Sequence, residues 1–541
     1  MKVWQTLLLV GLVCGAGASK AAAQTRPPGE LAWAIRYYPR TLDPAKVEDQ
    51  GAELVRYLTA GVLVRLDRYN LQVRPELASA ATVSPDGRVV TFKLRPGLHF
   101  SDGAALSSAD VAWSLRRVLD PAIGAPVAEE FLDAKAIKVD TPDAATIRVS
   151  LPQRVVGILE VFDEIAIEPA NRVTEGRVTS GPFIVSERQP GQFVKLARNN
   201  YYWKHDDAGH RLPYASGIRL DVLTNREQEI ARFTRGEYDL IDGLPPDDFA
   251  LLAQRMPGAP RDTGAGLNTE QMWFNQAPGA PLADHEKAWF SSTAFRVAVA
   301  EAIKRADLAR VAYDGHATPA YGFISPANTV WHDKALRVPP ENPAQAARLL
   351  AEAGFTERNN QLFDAGGHAV KFSILTNVGN LARAKMAALI QQDLAALGMQ
   401  VTIVTLDFPA LIERLMKTQA YEACLLGHPD TDPDPNAMRN ELLSSSPNHQ
   451  WNPSQKRPAT TWEAEIDREM NAQASTNDLR QRQQAINHVQ QIVADQQPFI
   501  YLVHPDALYA VSPHLIGVAP TVLAPGLVWN IELLHREANG R

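Results

Sequence analysis

RPELASAATVSPDGRVVTFKLRPGLHFSDGAALSSADVAWS, residues 74–114, carries several local structure signals in one short run. Ser84-Pro85-Asp86-Gly87 reads as a turn, because Pro85 presets φ at its second position and Gly87 accepts the positive φ that closes it. Val90, Phe92 and Leu94 alternate with Val89, Thr91, Lys93 and Arg95, the period of a strand with one buried face. Pro96-Gly97 and Asp102-Gly103 mark two further turns. Ser107-Ser108-Ala109-Asp110 has capping-box form, with Asp in place of Glu or Gln, ahead of helically spaced Val111, Ala112, Leu115, Val118 and Leu119. Asp120-Pro121 ends that helix. The stretch is therefore a hairpin, a loop and a helix, and these signals alone name no function.

Outward from it, the 541 residues exceed what one hydrophobic core organises, so two or three domains are expected. A 45% hydrophobic and 21% charged composition is that of a soluble globular protein. The net charge of −7 argues against nucleic acid or an anionic membrane as the partner. Residues 1–23 differ from the rest: Lys2 precedes an apolar run from Leu7 to Val13, and Ala21-Ala22-Ala23 forms an A-x-A cleavage pattern. This reads as a secretory signal peptide. Gly11-Leu12-Val13 lacks the small residue that lipidation of Cys14 would require, so a free periplasmic protein is expected. Cys424 is then the sole cysteine of the mature chain and is expected as a buried thiol.

PELA at 75–78 and SPDGRVVTFKLRPGLHFSDGAALSSADVAWSL at 84–115 closely resemble the signature of the extracytoplasmic solute-binding proteins of ABC importers, family 5, the peptide/nickel type. Markers in the family's order follow along nearly the whole mature chain. These are Thr41-Leu42-Asp43-Pro44, Ser180-Gly181-Pro182-Phe183, Leu196-Ala197-Arg198-Asn199-Asn200-Tyr201-Tyr202-Trp203, Gly236-Glu237-Tyr238-Asp239-Leu240 and Met272-Trp273-Phe274-Asn275. Local departures include Leu58–Leu66, where the usual aromatic and acidic pair is missing, and Asn200 in place of a proline.

The resemblance implies an α/β, two-lobed periplasmic-binding-protein fold with an extra inserted domain and a hinge between lobes. Lobe I would comprise 24–58, 178–272 and 500–541, the inserted domain II 59–177, and lobe III 273–499. The residues agree with an α/β third region. Asn342-Pro343 opens a helix that Gly354 stops, Met386–Leu397 is a helix stopped by Gly398, and Val401–Leu406 is a β-branched strand. Phe499–Val503 is expected as a buried strand returning the chain to lobe I.

No catalytic motif stands out. There is no G-x-S-x-G, S-x-x-K, H-E-x-x-H or P-loop, and His285-Glu286 fails as a zinc motif because Trp289 stands where the second histidine belongs. The histidines at 205, 210, 285, 316, 332, 428, 449, 504 and 514 are scattered, and most are expected on the surface or at caps. No enzyme activity, metal or cofactor is expected.

The densest acidic feature is Asp430-Thr431-Asp432-Pro433-Asp434-Pro435-Asn436, where prolines hold a loop extended and present its carboxylates. The resemblance implies that one of Asp430, Asp432 or Asp434 pairs with a peptide's α-amino group. A calcium-like or merely solvated acidic loop is the competing reading. The resemblance also places Asn377 where dipeptide receptors carry an arginine for the ligand carboxylate. Arg383, about a turn further on, is the candidate substitute, and His428 stands where relatives often have tryptophan. Tyr37 and Tyr38, after the first strand, either stack on a ligand or form a half-buried aromatic pair. Trp273 and Asn275 lie where the chain crosses between lobes and complete the candidate ligand-binding set.

The expected function is a periplasmic receptor that traps a peptide-like solute, an oligopeptide first of all, between two closing lobes. It would act as a monomer and deliver the solute to an inner-membrane ABC permease and ATPase. An oligosaccharide or other solute receptor, a receptor serving a membrane sensor, and a periplasmic hydrolase are the alternatives.

Overall fold

In the computed structural model, which describes residues 26–131, 134–338, 341–428 and 433–537, the signature stretch forms the centre of a small separate layer. Strand Val89–Leu94 buries Val90, Phe92 and Leu94 and leaves Lys93 exposed, as its alternation requires. It pairs antiparallel with Ala78–Val83 on one side and Thr146–Ser150 on the other, with Lys138–Asp143 beyond. The turn between the first two closes through the Gly87 N–H donating to Ser84 O at 2.8 Å, with Gly87 at φ +71°. Helix Ser108–Leu119 is capped as read: the Ser107 N–H donates to Asp110 Oδ2 at 2.8 Å, and Ser107 Oγ accepts from the Ala109 N–H. Phe92, Phe131 and Phe162 meet edge to face beneath the sheet. Each such buried ring is worth about 2–3 kcal/mol of removed apolar surface.

A second sheet is built around Glu30–Ile35, which runs parallel to Gly217–Val222 and to Leu240–Ile241. Phe193–Arg198 and Phe183–Gln189 extend it antiparallel. The Thr41–Pro44 motif connects this sheet to the signature layer, since the Asp43 carboxylate takes both ends of the Arg117 guanidinium from the capped helix, Nη1 to Oδ1 at 2.8 Å. The motif thus works as a tether between the two bodies, a role that its placement on the loop after the first strand does not reveal.

The third body is a parallel set of strands, Gln400–Leu406, Lys371–Asn377 and Ala423–His428, joined by antiparallel Thr269–Phe274. Successive residues of these strands enter different cores: Met272, Phe274, Ile374, Ala423 and Leu425 on one face, Trp273, Leu375 and Cys424 on the other. Helices Asp284–Ser291, Thr293–Ala302, Pro343–Glu352 and Leu381–Ala395 cover the first face. Thr461–Ala474 and Leu479–Gln496 cover the second. Burial on both faces suits the apolar pairs at the strand centres, Ile374-Leu375 and Cys424-Leu425. Cys424 is fully buried, as expected, and burial pushes its thiol up.

One strand belongs to both lobes. Phe499–Val511 pairs with Thr269–Phe274 and Ala317–Pro319 through residue 505, and with Pro260–Ala265 and Leu240–Ile241 from residue 506 onward. Its 13 residues span about 43 Å. The sequence analysis places a strand only over Phe499–Val503, whereas the observed strand continues through Pro505 to Val511. Pro505 is tolerated here: its carbonyl accepts the Gly266 N–H at 2.8 Å, beside the point where the opposing strand shifts register. The other passage between lobes is the chain from Ala265 to Thr269, alongside.

One further expectation needs correction. The helix predicted from Met386 starts at Leu381, because Asn380 caps it by accepting the Arg383 N–H at 2.9 Å while the exposed Leu381 masks the apolar periodicity. Of the nine scattered histidines, His449 and His504 are buried and the other seven are not. The signal-peptide segment and Cys14 lie outside the described residues. Among the described residues no helix is long and apolar enough to cross a membrane.

Candidate functional site

Parallel strands deliver their following loops to one edge, and in open α/β sheets ligands bind in the crevice outside those carboxyl ends. In lobe III the edge is formed by Asn377, Leu406 and His428, together with Thr269, which pairs with His428. In lobe I it is formed by Ile35, Val222 and Ile241. The two edges face one another: Lys385, on the helix after Asn377, brings Nζ to 3.7 Å from Asp247 Oδ1, on the helix after Ile241. The crevice between them is the candidate site.

Beyond the Ile35 end of the lobe I edge come Tyr37, 65% exposed, and Tyr38, half-buried against the lobe I core with its hydroxyl enclosed and lacking a hydrogen-bond partner. Beyond the lobe III edge, Val378 in the loop after Asn377 and Leu381 and Phe408 at the first positions of the helices that follow are all more than half exposed. Apolar side chains left in water at a carboxyl edge, facing a second lobe, are a surface that closure would cover. Periodicity did not single them out, because a loop residue carries no period and an exposed residue in the first turn of a helix falls outside the buried stripe.

Two polar clusters flank the lobe III edge, one on each face of the sheet. In the first, the Arg383 guanidinium donates from Nε to Glu270 Oε2 at 2.7 Å and from Nη2 to Glu270 Oε1 at 2.8 Å, while Nη1 donates to Asn377 Oδ1 at 2.6 Å. The Tyr313 hydroxyl donates to the same Glu270 at 3.3 Å. Asn377 and Arg383, linked by the sequence reading, are thus neighbours, but Glu270 occupies the fork expected to serve a ligand carboxylate. Gly427 makes room for the pair, since a Cβ there would stand 2.4 Å from Arg383 Nη2 and 2.9 Å from Glu270 Oε1. Glu270 escaped notice in the sequence. Its only signal is a charge near the start of a strand that proves buried throughout.

In the second cluster His428 Nδ1 lies 3.6 Å from Oε2 of Glu441, a side chain 4% exposed whose other oxygen accepts from Gln271 Nε2 at 3.1 Å. Burial holds the Glu441 carboxyl above the usual range, against the opposing pull of His428. Glu441 is likewise absent from the sequence reading, because nothing local distinguishes it from a solvated helix carboxylate.

Other expected residues are placed elsewhere. Trp273 is buried, its indole N–H donating to Tyr421 Oη at 3.1 Å. Asn275 is also buried, donating to the carbonyls of Gln419 and Tyr421 at 2.9 Å each and accepting the Ala277 N–H. Counted from Thr269 at the edge, they lie about 13 and 20 Å down the strand, so they hold the lobe III interior together and do not reach the crevice. Asp434 is engaged by Arg482, Nη1 to Oδ2 at 2.7 Å and Nη2 to Oδ1 at 2.5 Å, and accepts the Asn436 N–H at 2.8 Å as a cap. A bidentate, half-buried carboxylate of this kind is a structural anchor in place of the expected amine partner. Asp430 and Asp432 lie outside the described residues.

The sequence profile of the bacterial extracellular solute-binding proteins, family 5, matches residues 72–450. The chain is 25% identical over 491 residues to the glutathione-binding protein GsiB of Salmonella typhi, covering 88% of this chain and 89% of that protein. It is 22% identical over 523 residues to the oligopeptide-binding protein AppA of Bacillus subtilis, covering 92% and 90%. Among solved structures, the ABC transporter substrate-binding protein CtaP of Listeria monocytogenes superposes with a TM-score of 0.76 at 21% identity, over 92% of this chain and 97% of that one. A profile match over most of the chain, together with the two-lobed architecture, shows that this protein belongs to the bacterial extracellular solute-binding proteins of family 5.

Proposed function

We propose that the protein is the periplasmic receptor of an ABC importer and that it captures an oligopeptide in the crevice between lobes I and III. The observation that carries this reading is the occupied Arg383 fork at the crevice edge. With Glu270 on its Nε–Nη2 edge and Asn377 on Nη1, the arginine's charge and three of its five N–H donors are already engaged, which supports a ligand gripped along its backbone and at its amine over one clamped by its terminal carboxylate. The names of the similar proteins, one a glutathione binder and one an oligopeptide binder, support a peptide-like solute.

In this reading Tyr37 and Tyr38 contact the ligand from lobe I, His428 lines the opposite wall, and Asp430 or Asp432 meets the α-amino group. Closure covers Val378, Leu381 and Phe408, removing apolar surface from water only in the closed state, which is the differential term that lets a ligand shift the equilibrium. The inserted region 59–177 takes no part in the ligand contacts. The receptor carries out no chemistry, works as a monomer, and reaches the periplasm on removal of residues 1–23.

Thermal unfolding of the mature protein against peptides of two to nine residues, glutathione, oligosaccharides and metal chelates tests this. Stabilisation by peptides longer than two residues, with the peptide recovered intact, is expected. Stabilisation by sugars or chelates alone, or recovery of cleaved peptide, overturns it.

A further inference from the structure

Where the two lobe-connecting passages run side by side, three side chains from different parts of the chain converge. Asp262 lies on the lobe I strand Pro260–Ala265, Asp506 lies at the changeover of the shared strand, and His316 lies just before the lobe III strand Ala317–Pro319. One ligating atom from each lies within 4.8 Å of the others. His316 Nδ1 is 2.7 Å from Asp262 Oδ2, and the Asp506 N–H donates to the His316 carbonyl at 3.1 Å. The His316 ring is held edge to face against Phe249 of lobe I at 4.8 Å. An ordinary histidine–aspartate hydrogen bond would account for two of the three side chains. It leaves Asp506 Oδ1 enclosed by protein with no hydrogen-bond partner. A second carboxylate facing an existing imidazole–carboxylate pair, with His316 as the base that acts on both acids, makes a site that a further cation would complete.

We propose that Asp262, His316 and Asp506 form a binding site for a divalent first-row transition ion, with Zn2+ as its natural probe, that ties the two inter-lobe passages together. One imidazole nitrogen and two carboxylate oxygens make a borderline-hard donor set, suited to Zn2+ and its neighbours and too poor in oxygen for Ca2+. Three protein ligands leave a coordination position for water. The ion would bridge a lobe I strand, the shared strand and a lobe III loop, so its binding would limit the angle between the lobes.

One other cluster among the described residues has a comparable donor set, Glu465, Glu469 and His488 on the lobe III helices. It is a weaker candidate, because Arg468 already donates to both glutamates at 2.9 and 3.0 Å and supplies the positive charge.

The test is calorimetric titration of the tag-free, chelator-treated mature protein with ZnCl2, repeated on His316→Gln, Asp506→Asn and His488→Gln. One high-affinity site is expected in the wild type, with affinity lowered at least about tenfold in His316→Gln and in Asp506→Asn and unchanged in His488→Gln. Metal-free melting curves of the two site variants within a few degrees of the wild type establish that the loss is not unfolding; if one variant misfolds, Asp262→Asn replaces it. No binding by the wild type overturns the proposal. So does binding that survives both site variants, or that disappears in His488→Gln. The outcome is independent of which solute occupies the crevice.

Discussion

Replacing Glu270 by Gln isolates the arrangement on which the proposed ligand class rests. The Arg383 and Glu270 side chains are 13% and 7% exposed, so the pair is nearly withdrawn from water. Removing one member of such a pair leaves an uncompensated charge at a cost of about 3–5 kcal/mol. A glutamine can still accept one hydrogen bond from the guanidinium, which places Glu270→Gln at the lower end, about 2–4 kcal/mol. If lobe III melts as a unit, each kcal/mol corresponds to about 2–4 °C, so its transition should fall by roughly 5–15 °C. The double variant Glu270→Gln/Arg383→Met removes both charges and should recover most of that loss, since a buried ion pair and an apolar replacement of similar volume are nearly equivalent. Binding gives the second readout. The freed guanidinium in Glu270→Gln lies at the crevice edge and can accept a carboxylate, so affinity for dipeptides with a free C-terminus should rise by about tenfold over their amidated forms. Denaturant melts and titration calorimetry on the four proteins of the cycle measure both effects. A loss below about 1 kcal/mol in the single variant, or a double variant as unstable as the two singles summed, would refute the reasoning.

Glu463, 2% exposed, accepts from His449, Trp451, Gln455 and Thr460, and these hydrogen bonds outweigh burial and hold its carboxyl down at about 2. Its contribution is present above the unfolded value and disappears as pH falls from 4.5 toward 2, so the wild type should lose about 3 kcal/mol over that window and Glu463→Gln should lack the slope. His504 behaves in the opposite sense, because burial lowers it to about 4 and keeps it neutral when folded. Stability is complete above 6.5 and falls by about 3 kcal/mol as pH drops from 6.5 to 4, a slope that acid melts of His504→Leu should abolish. Asp434→Asn, by weakening the hold on Arg482, should lower stability by about 2–4 kcal/mol while changing peptide affinity less than about threefold. Asp430→Asn or Asp432→Asn should do the reverse, lowering affinity for free-amine peptides about tenfold and leaving N-acetylated ones unchanged.

Local rules explain what was legible without coordinates. The turn at Ser84–Gly87, the alternation of Val90, Phe92 and Leu94 and the cap at Ser107 each depend on residues within a few positions of one another. Short-range sterics and hydrogen bonding enforce such features wherever the segment ends up. The order of the family markers, matched by the profile over residues 72–450, then carried the two-lobed architecture.

The site was less legible, because a side chain's role there depends on which partner reaches it from elsewhere in the chain. Arg383 reads as a free cation until Glu270, more than a hundred positions earlier, folds against it. Asp434 reads as a presented carboxylate until Arg482 arrives from a distant helix. Trp273 and Asn275 read as crossing residues, yet the direction of their strand carries them into the interior.

The sequence by itself therefore determined the signature layer, the caps at Ser107 and Asn342, and the family, since these follow from neighbours along the chain and from the order of motifs. Only the tertiary structure decided which charges are already paired, which apolar residues stand at the crevice, and that Asp262, His316 and Asp506 meet where the lobes join. Ion pairing and convergence act through space at a few ångströms, and separation along the chain carries no record of them.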